Sequence, residues 1–194
     1  MKNTFLVLSL VLLTINANAQ DEVKNTYWQA KVDFLEPAIN QSVVGRLDYG
    51  FNRNLLGLVV GVGGRISEFD NQQYDTYQDK INYRLGAEYQ YFLSKKKMNR
   101  GFYIGGDLDF SSHTIESKVS DESVKNIAVF TPGLWFGWMW KPFKKAELYI
   151  DLTIAHPRYS FGNIDKVTFN TVAKPYEPQN LFNFLGPWSI GWRF

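Results

Sequence analysis

Apolar and polar side chains alternate with a period of two through most of the chain. The clearest run is 81–93, in which odd positions such as Leu85 and Tyr89 are apolar or aromatic, and even positions such as Arg84 and Glu88 are polar or small. Successive side chains of a β-strand point to opposite faces, so a strand with this pattern has one apolar face and one polar face. The alternation predicts an all-β fold.

Eight segments show the alternation, and each is predicted to be a strand: 28–35, 43–51, 56–66, 81–93, 102–111, 124–140, 146–155 and 182–194. Three of the connections are short turns, at 52–54, 94–101 and 141–145. The alternate connections are longer or more polar at 67–79, 115–123 and 157–180, whereas the link 36–42 is short and carries Pro37. An even number of antiparallel strands leaves both chain ends on the side of the short turns.

Alternation also fits a soluble sandwich or a lipocalin-like barrel, in which the apolar face is buried and the polar face meets water. Two features favour the opposite arrangement. The polar face is rich in glycine and mixed charges, as suits a narrow lumen, whereas a solvated face would carry more Lys and Glu. Aromatic residues also collect near the turn ends, as in an interfacial girdle: Trp28, Tyr49, Phe51, Tyr91, Phe102, Trp138, Trp140, Trp192 and Phe194. We predict a closed, antiparallel, up-and-down transmembrane β-barrel of about eight strands.

The lengths of the connections predict how such a barrel is oriented. Bacterial barrels have short periplasmic turns and longer outer loops. We expect the turns 94–101 and 141–145 to face the periplasm, and the loops 67–79, 115–123 and 157–180 to face outside.

The composition of the 194-residue chain excludes several other classes. A net charge of +2 leaves no basic footprint for nucleic acid, so no nucleic-acid partner is expected. The chain has no cysteine, which excludes disulfides, thiolate catalysis and cysteine-bound zinc. The mean hydropathy of −0.26 is lower than a helical membrane protein would show.

The first 19 residues have the features of a secretory signal peptide. Lys2 supplies the positive charge, 5–15 is an apolar core too short to span a membrane, and Ala17-Asn18-Ala19 fits a small-x-small cleavage site. We expect 1–19 to be removed, so that 20–194 leaves the cytoplasm as a single barrel domain.

The C-terminal sequence Trp188-Ser189-Ile190-Gly191-Trp192-Arg193-Phe194 resembles the last strand of outer-membrane barrels, which typically ends in an aromatic residue with another two positions earlier. The whole of 20–194 is similar to the small OmpA/OmpX-like barrels, especially the outer membrane protein beta-barrel domain proteins of Bacteroidetes. This resemblance implies an integral protein of a Gram-negative outer membrane. Its partners would be outer-membrane lipid and lipopolysaccharide, the barrel-assembly machinery during biogenesis, and other proteins of an outer-membrane complex.

The predicted register places many charges in the lumen: Lys31, Arg46, Arg65, Arg84, Arg193, Asp33, Asp48, Glu88, Asp107, Asp109, Glu147 and Asp151. They could line a polar pore or a proton path. They could equally form ion pairs that fill the interior, because an eight-stranded barrel is just wide enough to be filled by its own side chains. We favour the filled interior.

One group of residues suggests chemistry. His113 lies near Ser111, Ser112 and Glu116, and a histidine with a serine and an acid could serve a lipid deacylase. The same residues are ordinary for the lip of a loop, and His156 is interpreted as an interface or loop residue.

Two other motifs are weaker. The glycines of 61–64 lack the Lys-Ser/Thr and the helix of a phosphate loop, so we interpret them as relieving crowding or permitting a bend. The run Lys95-Lys96-Lys97 is interpreted as a solvated turn, with anionic head groups as an alternative contact.

These observations assign no residue to catalysis, to a cofactor or to a metal. The function expected is therefore that of a non-enzymatic structural or accessory component of the cell envelope. Two alternatives stay open: a narrow porin-like channel with cation preference, and a lipid-modifying outer-membrane enzyme.

Overall fold

The computed structural model describes residues 26–65, 75–94, 99–162, 167–169, 182–183 and 186–194. The predicted signal peptide, the run Lys95-Lys96-Lys97 and most of 157–180 therefore lie outside the described residues. The described strands and the short helix α1 are β1 Thr26–Asp33, α1 Glu36–Ile39, β2 Val43–Phe51, β3 Asn54–Val62, β4 Tyr77–Phe92, β5 Gly101–Ser117, β6 Ser123–Trp140, β7 Leu148–Pro157, β8 Phe161–Gly162, β9 Phe182–Asn183 and β10 Trp188–Arg193. The all-β class predicted from the alternation is confirmed.

Eight of the strands form a ring in which every neighbouring pair is antiparallel. The pairs run from β1 to β7 in chain order, β10 pairs with β7, and β1 pairs with β10. Among the described helices, none is long and apolar enough to cross a membrane.

The two shortest strands continue longer ones. Beyond the end of β7, Arg158 bridges to Gly133 of β6, and β8 then pairs with β6 further along the same edge. Similarly, β9 pairs with β7 just beyond the pairing of β7 with β10. β8 therefore continues β7 after a break, and β9 precedes β10 after a break. Neither short strand adds a ninth strand to the ring.

The ring has a definite stagger between its strands. Following paired residues once around it leads through Trp140, Ile150, Ile190, Val32, Gly45, Val60, Leu85, Phe110 and Phe130. The path returns to β6 ten residues before its starting point. A closed sheet needs such a shear, because its strands tilt relative to the axis of the ring.

The two ends of the ring differ in their connections. At the end called here the turn end lie the two-residue turn after β2, the end of β4 with the start of β5, and the segment 141–147. The first described residues of β1 and the last residue of the chain lie there too, since the backbones of Trp28 and Phe194 hydrogen-bond to each other. The helix α1 and the loop 118–122 lie at the other end, called the loop end, where β3 and β7 end and β4 begins.

Three irregularities interrupt the pairing, and two of them lie toward the loop end. The register of β4 against β5 shifts between Ile81 and Tyr83, and that of β5 against β6 shifts near Asn126, which has a φ of 59°. A third shift separates Phe136 and Gly137 in the β6–β7 pair. A bulge adds a residue to one strand and so changes which face the following side chains occupy.

The predicted strand bounds lie within two residues of the observed ones at the turn end, whereas at the loop end those of β3, β4, β5 and β10 differ by four to six residues. Strand β2 has the predicted bounds. Strands β4 and β5 extend well into the predicted loops, because β4 begins at Tyr77 and β5 ends at Ser117. The real loop between β5 and β6 is therefore only 118–122.

Candidate functional site

The outward face of the ring is apolar on every strand. Residues that are exposed there include Trp28, Leu47, Leu58, Leu85, Leu108, Leu134, Ile154 and Ile190, one from each ring strand. Leu85 exposes 55% of its surface and Leu134 exposes 67%. A continuous apolar surface of this extent is far larger than the isolated patches normal on a soluble monomer, and it indicates an interaction surface.

Aromatic rings on this face collect toward the turn end. The ring centroids of Trp28 and Tyr49 lie 5.1 Å apart, and Tyr49 stacks on Phe51 at 5.9 Å. Trp138 and Trp140 also stack at 5.9 Å. These residues occupy the positions at which the sequence predicted an aromatic girdle.

The interior of the ring is charged, and Lys31 lies at its centre. The Lys31 Nζ is 3.0 Å from carboxylate oxygens of Asp48, Glu88 and Asp151, and none of these four side chains is more than 3% exposed. The Tyr103 hydroxyl donates a hydrogen bond of 2.7 Å to Asp151. A buried cation is tolerable only with partners of this kind, since its desolvation costs several kcal/mol.

Two arginines extend the network toward the loop end. The Arg46 Nε donates to Glu88 at 3.1 Å, and its guanidinium lies 3.5 Å from Asp33. Arg84 forms an ion pair with Asp109. Charged side chains from β1, β2, β4 and β5 therefore meet across the ring rather than lining an open passage.

Carboxylates outnumber cations among the described interior residues. The cations include Lys31, Arg46, Arg84 and Arg193, and the carboxylates include Asp33, Asp48, Asp79, Glu88, Asp107, Asp109 and Asp151. Glu36 of α1 and Arg158, which lies opposite Gly133, add one group of each sign. Each histidine lies against one of these carboxylates: His156 Nε2 is 2.9 Å from Asp107, and His113 Nδ1 is 2.7 Å from Asp79.

Interior glycines provide the room for these side chains. A Cβ on Gly86 would collide with Asp109 Oδ1 and lie 3.0 Å from the carbonyl oxygen of Leu108. A Cβ on Gly57 would likewise collide with Asp48 and lie 2.7 Å from Glu88 Cγ. Glycine at these positions is needed for space, which agrees with the prediction of crowding in a narrow interior.

Apolar clusters fill the interior at both ends. The turn-end cluster consists of Leu55, Phe92, Tyr103, Trp135, Met139 and Tyr149, with Tyr27 packed against it. The loop-end cluster consists of Tyr77, Ile115, Ile127, Val129, Val167 and Phe169. The Arg193 guanidinium packs on two aromatic rings at the turn-end cluster. It lies 3.9 Å from the ring centroid of Tyr27 and 3.7 Å from that of Tyr149.

Three sequence-based placements are wrong. Arg65 is exposed rather than interior, because β3 ends at Val62 and two glycines with positive φ break the alternation after it. Glu147 is exposed because it precedes the first residue of β7. His156 is not a loop residue: the shift in the β6–β7 register turns it inward, where it is 1% exposed.

The structure brings Ser111 and His113 together with an acid that the sequence did not suggest. Ser111 Oγ lies 2.8 Å from His113 Nε2, while the other ring nitrogen faces Asp79. Glu116 instead pairs with Lys80, and Ser112 accepts a hydrogen bond from Asn82. Glu116 and Ser112 therefore take no part in the hydrogen-bonded group of Ser111, His113 and Asp79.

A bulge explains why Asp79 joins the pair. Ser111 and His113 are two residues apart on β5 and so share its interior face. On β4 the even residues Arg84 and Glu88 point inward, but the extra residue near Asn82 reverses the parity, so that Asp79 also points inward. Without the bulge, its carboxylate would lie on the outward face.

The helix α1 contributes a further acid at the loop end. Glu36 lies 4.0 Å from Arg84 and accepts hydrogen bonds from Ser42 Oγ at 2.8 Å and Asn40 Nδ2 at 3.1 Å. Burial alone would raise the pKa of Glu36, but the Arg84 guanidinium and the two hydrogen bonds outweigh it and lower that pKa below its usual value. The first connection is thus tied into the interior network.

Other candidate chemistry finds no support in the described part of the chain. No group of three or more His, Cys, Asp or Glu side chains suited to a metal ion occurs there. The glycines of 61–64 end β3 rather than opening a helix, with φ of 68° at Gly63 and 134° at Gly64.

Comparisons of the chain with protein-family models, with curated proteins and with solved structures find no match.

Proposed function

We propose that this protein is an integral β-barrel of a Gram-negative outer membrane, with a filled interior and a structural or accessory role in the cell envelope. The observation that carries the proposal is the inversion of polarity between the two faces. Apolar side chains are exposed on the outside, and ion pairs are buried inside. In water this arrangement would be unfavourable on both faces, whereas in lipid it is the arrangement a spanning barrel requires.

The dimensions of the ring support the same setting. Eight strands with a stagger of ten residues, a rise of about 3.3 Å per residue and a strand spacing of about 4.8 Å correspond to a tilt of about 40°. At that tilt the nine residues of β3 rise about 23 Å. The apolar band of outer-membrane barrels is about 25 Å tall.

The packed interior favours a closed barrel over a channel. Lys31 and its three carboxylates occupy the centre, and the turn-end and loop-end clusters fill both ends. The excess of carboxylates favours a cation channel. A channel, however, needs an open path through the interior, and the side chains of Lys31, its three carboxylates and the two clusters occupy that path.

Planar-bilayer recording tests the closed interior. Residues 20–194, purified in detergent and reconstituted, should insert without producing stable conductance steps. Lys31→Ala is the matched variant, because it removes the central side chain and should introduce leak currents if this residue closes the path. A large, stable, cation-selective conductance of the unaltered protein would refute the filled interior.

Epitope insertion tests the orientation. A tag inserted in 118–122 should be reached by antibody on intact cells, and a tag in 141–147 should be reached only after permeabilisation. The reverse labelling would place the turn end outside.

A further inference from the structure

We propose that Ser111, His113 and Asp79 form the catalytic centre of an acyl hydrolase at the loop end of the interior, acting on a carboxylic ester with an apolar acyl chain. This activity goes beyond the structural role proposed above and departs from the expectation of a non-enzymatic barrel. It does not depend on the membrane setting.

The connectivity of the three side chains is that of a serine hydrolase. The nucleophilic oxygen lies 2.8 Å from Nε2 of the imidazole, and Nδ1 of the same ring lies 2.7 Å from a carboxylate oxygen. Such a carboxylate holds the imidazole in the tautomer that can accept the serine proton. Ser111 and His113 are 6% and 7% exposed, so little water competes for these hydrogen bonds.

The bulge in β4 is a second, independent feature of the site. It directs Asp79 inward against the parity of the rest of its strand. Bulges are over-represented beside active sites, where they redirect one side chain. Here the redirected side chain is the one that completes the constellation.

Arg84 supplies a cationic side chain on the strand next to the serine. It lies opposite Ser111 in the β4–β5 register, and both residues face the interior. Its Nη2 is bound to Asp109, whereas its buried Nε has no hydrogen-bond partner among the described residues. This N–H is the donor available to an oxyanion formed next to Ser111.

The chemical class of the acyl group follows from what lies beyond His113. The register places Ile127 opposite His113, and Ile115 follows two residues later on the same face. Both belong to the loop-end cluster, and a cleft of about 440 Å³ beside that cluster is lined by Ile127 and Val167, among others. An apolar chain would occupy this cleft beside the cluster, next to Ile127, the residue that lies opposite His113.

The reaction requires only water as a co-reactant. Ser111 Oγ attacks the carbonyl carbon while His113 Nε2 takes the hydroxyl proton. The bond to the alcohol oxygen then breaks, and His113 returns that proton to the leaving alcohol. Water deprotonated by His113 attacks the acyl-serine ester and releases the carboxylic acid, restoring the serine hydroxyl.

A fluorophosphonate with an alkyl chain tests the nucleophile directly. Incubated with residues 20–194 in detergent micelles, it should form a single adduct, mapped to Ser111 by mass spectrometry. Ser112→Ala is the matched control and should label like the unaltered protein, whereas Ser111→Ala and heat-unfolded protein should not label. Folding of each variant is checked by circular dichroism. Absence of an adduct on Ser111 in the folded protein overturns the proposal.

Ester hydrolysis separates catalysis from mere reactivity. With p-nitrophenyl octanoate, Ser111→Ala and His113→Ala should lower kcat/KM by about 10³-fold or more. Asp79 is a positioning residue, and Asp79→Asn should lower kcat, leave KM within a few-fold and change the pH profile of kcat. Hydrolysis that is unaffected by Ser111→Ala, or absent from the unaltered protein, overturns the assignment.

Discussion

Arg84 and Leu85 are neighbours on β4, yet they occupy opposite environments. The Arg84 side chain is 11% exposed and paired with Asp109 inside the ring, while Leu85 is 55% exposed on the outside. The inner face depends on partners at defined distances, as Lys31 shows. The outer face depends only on being apolar. The same kind of substitution should therefore have different consequences on the two faces of a single strand.

The largest effect is expected at Lys31. Lys31→Met leaves Asp48, Glu88 and Asp151 buried without their shared cation, and breaking a buried ion pair costs about 3–5 kcal/mol. Val32→Met, on the adjacent outward position, should change the free energy of unfolding little. Urea titration in lipid vesicles, followed by tryptophan fluorescence, measures both. Equal stability of the two variants would remove the distinction between the faces.

A charge on the outer face is expected to cost somewhat less. Leu85→Arg should destabilise the folded protein in vesicles by about 2–4 kcal/mol, the range for arginine near the middle of a bilayer. Leu85→Phe keeps the position apolar and should be nearly neutral. If Leu85→Arg folds as well as the unaltered chain, this position faces water rather than lipid.

Crowding gives a smaller contrast between adjacent positions. Gly86→Ala places a methyl group against Asp109 and should cost about 1–3 kcal/mol through overpacking. Ala87→Val adds more volume on the outward face and should be tolerated. Urea titration of both variants in lipid vesicles should show a lower free energy of unfolding for Gly86→Ala than for Ala87→Val. If Gly86→Ala leaves the stability unchanged, the interior has room for an added methyl group.

The smallest effect concerns Glu36. Its lowered pKa means that the carboxylate stabilises the fold above the unfolded pKa of about 4.3 and loses this contribution as the pH falls through the folded pKa. Glu36→Gln should therefore cost about 1 kcal/mol at neutral pH, and the difference should shrink as the pH falls below about 4.3 and vanish below the folded pKa. Asp121→Asn, in the exposed loop 118–122, serves as the control. A difference that persists or grows at low pH contradicts the assigned role of Arg84.

The sequence was most informative where alternation is unbroken. Strand β2 was predicted with its observed bounds, and the inward orientation of Arg84, Glu88 and Asp151 follows from parity. Phe92 and Val59 are apolar but lie on the faces of β4 and β3 that otherwise carry mostly polar or small residues, and both are buried inside, where Phe92 belongs to the turn-end cluster. The alternation of successive residues between the two faces of a strand, rather than the polarity of these side chains, determines that they point inward.

The loop end could not be predicted in the same way. A bulge depends on how two strands pair across the sheet, and nothing local to Asn82 or Asn126 specifies it. Ser111 and His113 could be placed together because they share a strand and a face. Asp79 could not, because only the bulge turns it inward. Arg65 and Glu147 were misplaced because the alternation was extended past the ends of β3 and β7.

The absence of cysteine from the chain permits one direct test of the outer face. Single cysteines at Leu58, Leu85 and Leu108 can carry an environment-sensitive fluorophore in vesicles made with brominated lipid, with Lys144→Cys in the exposed turn as the control. A lipid-facing outer surface predicts strong quenching by the brominated acyl chains at the three leucine positions and little at position 144. If none of the three is quenched, and residues 20–194 stay folded in water without detergent, the membrane-barrel assignment is contradicted.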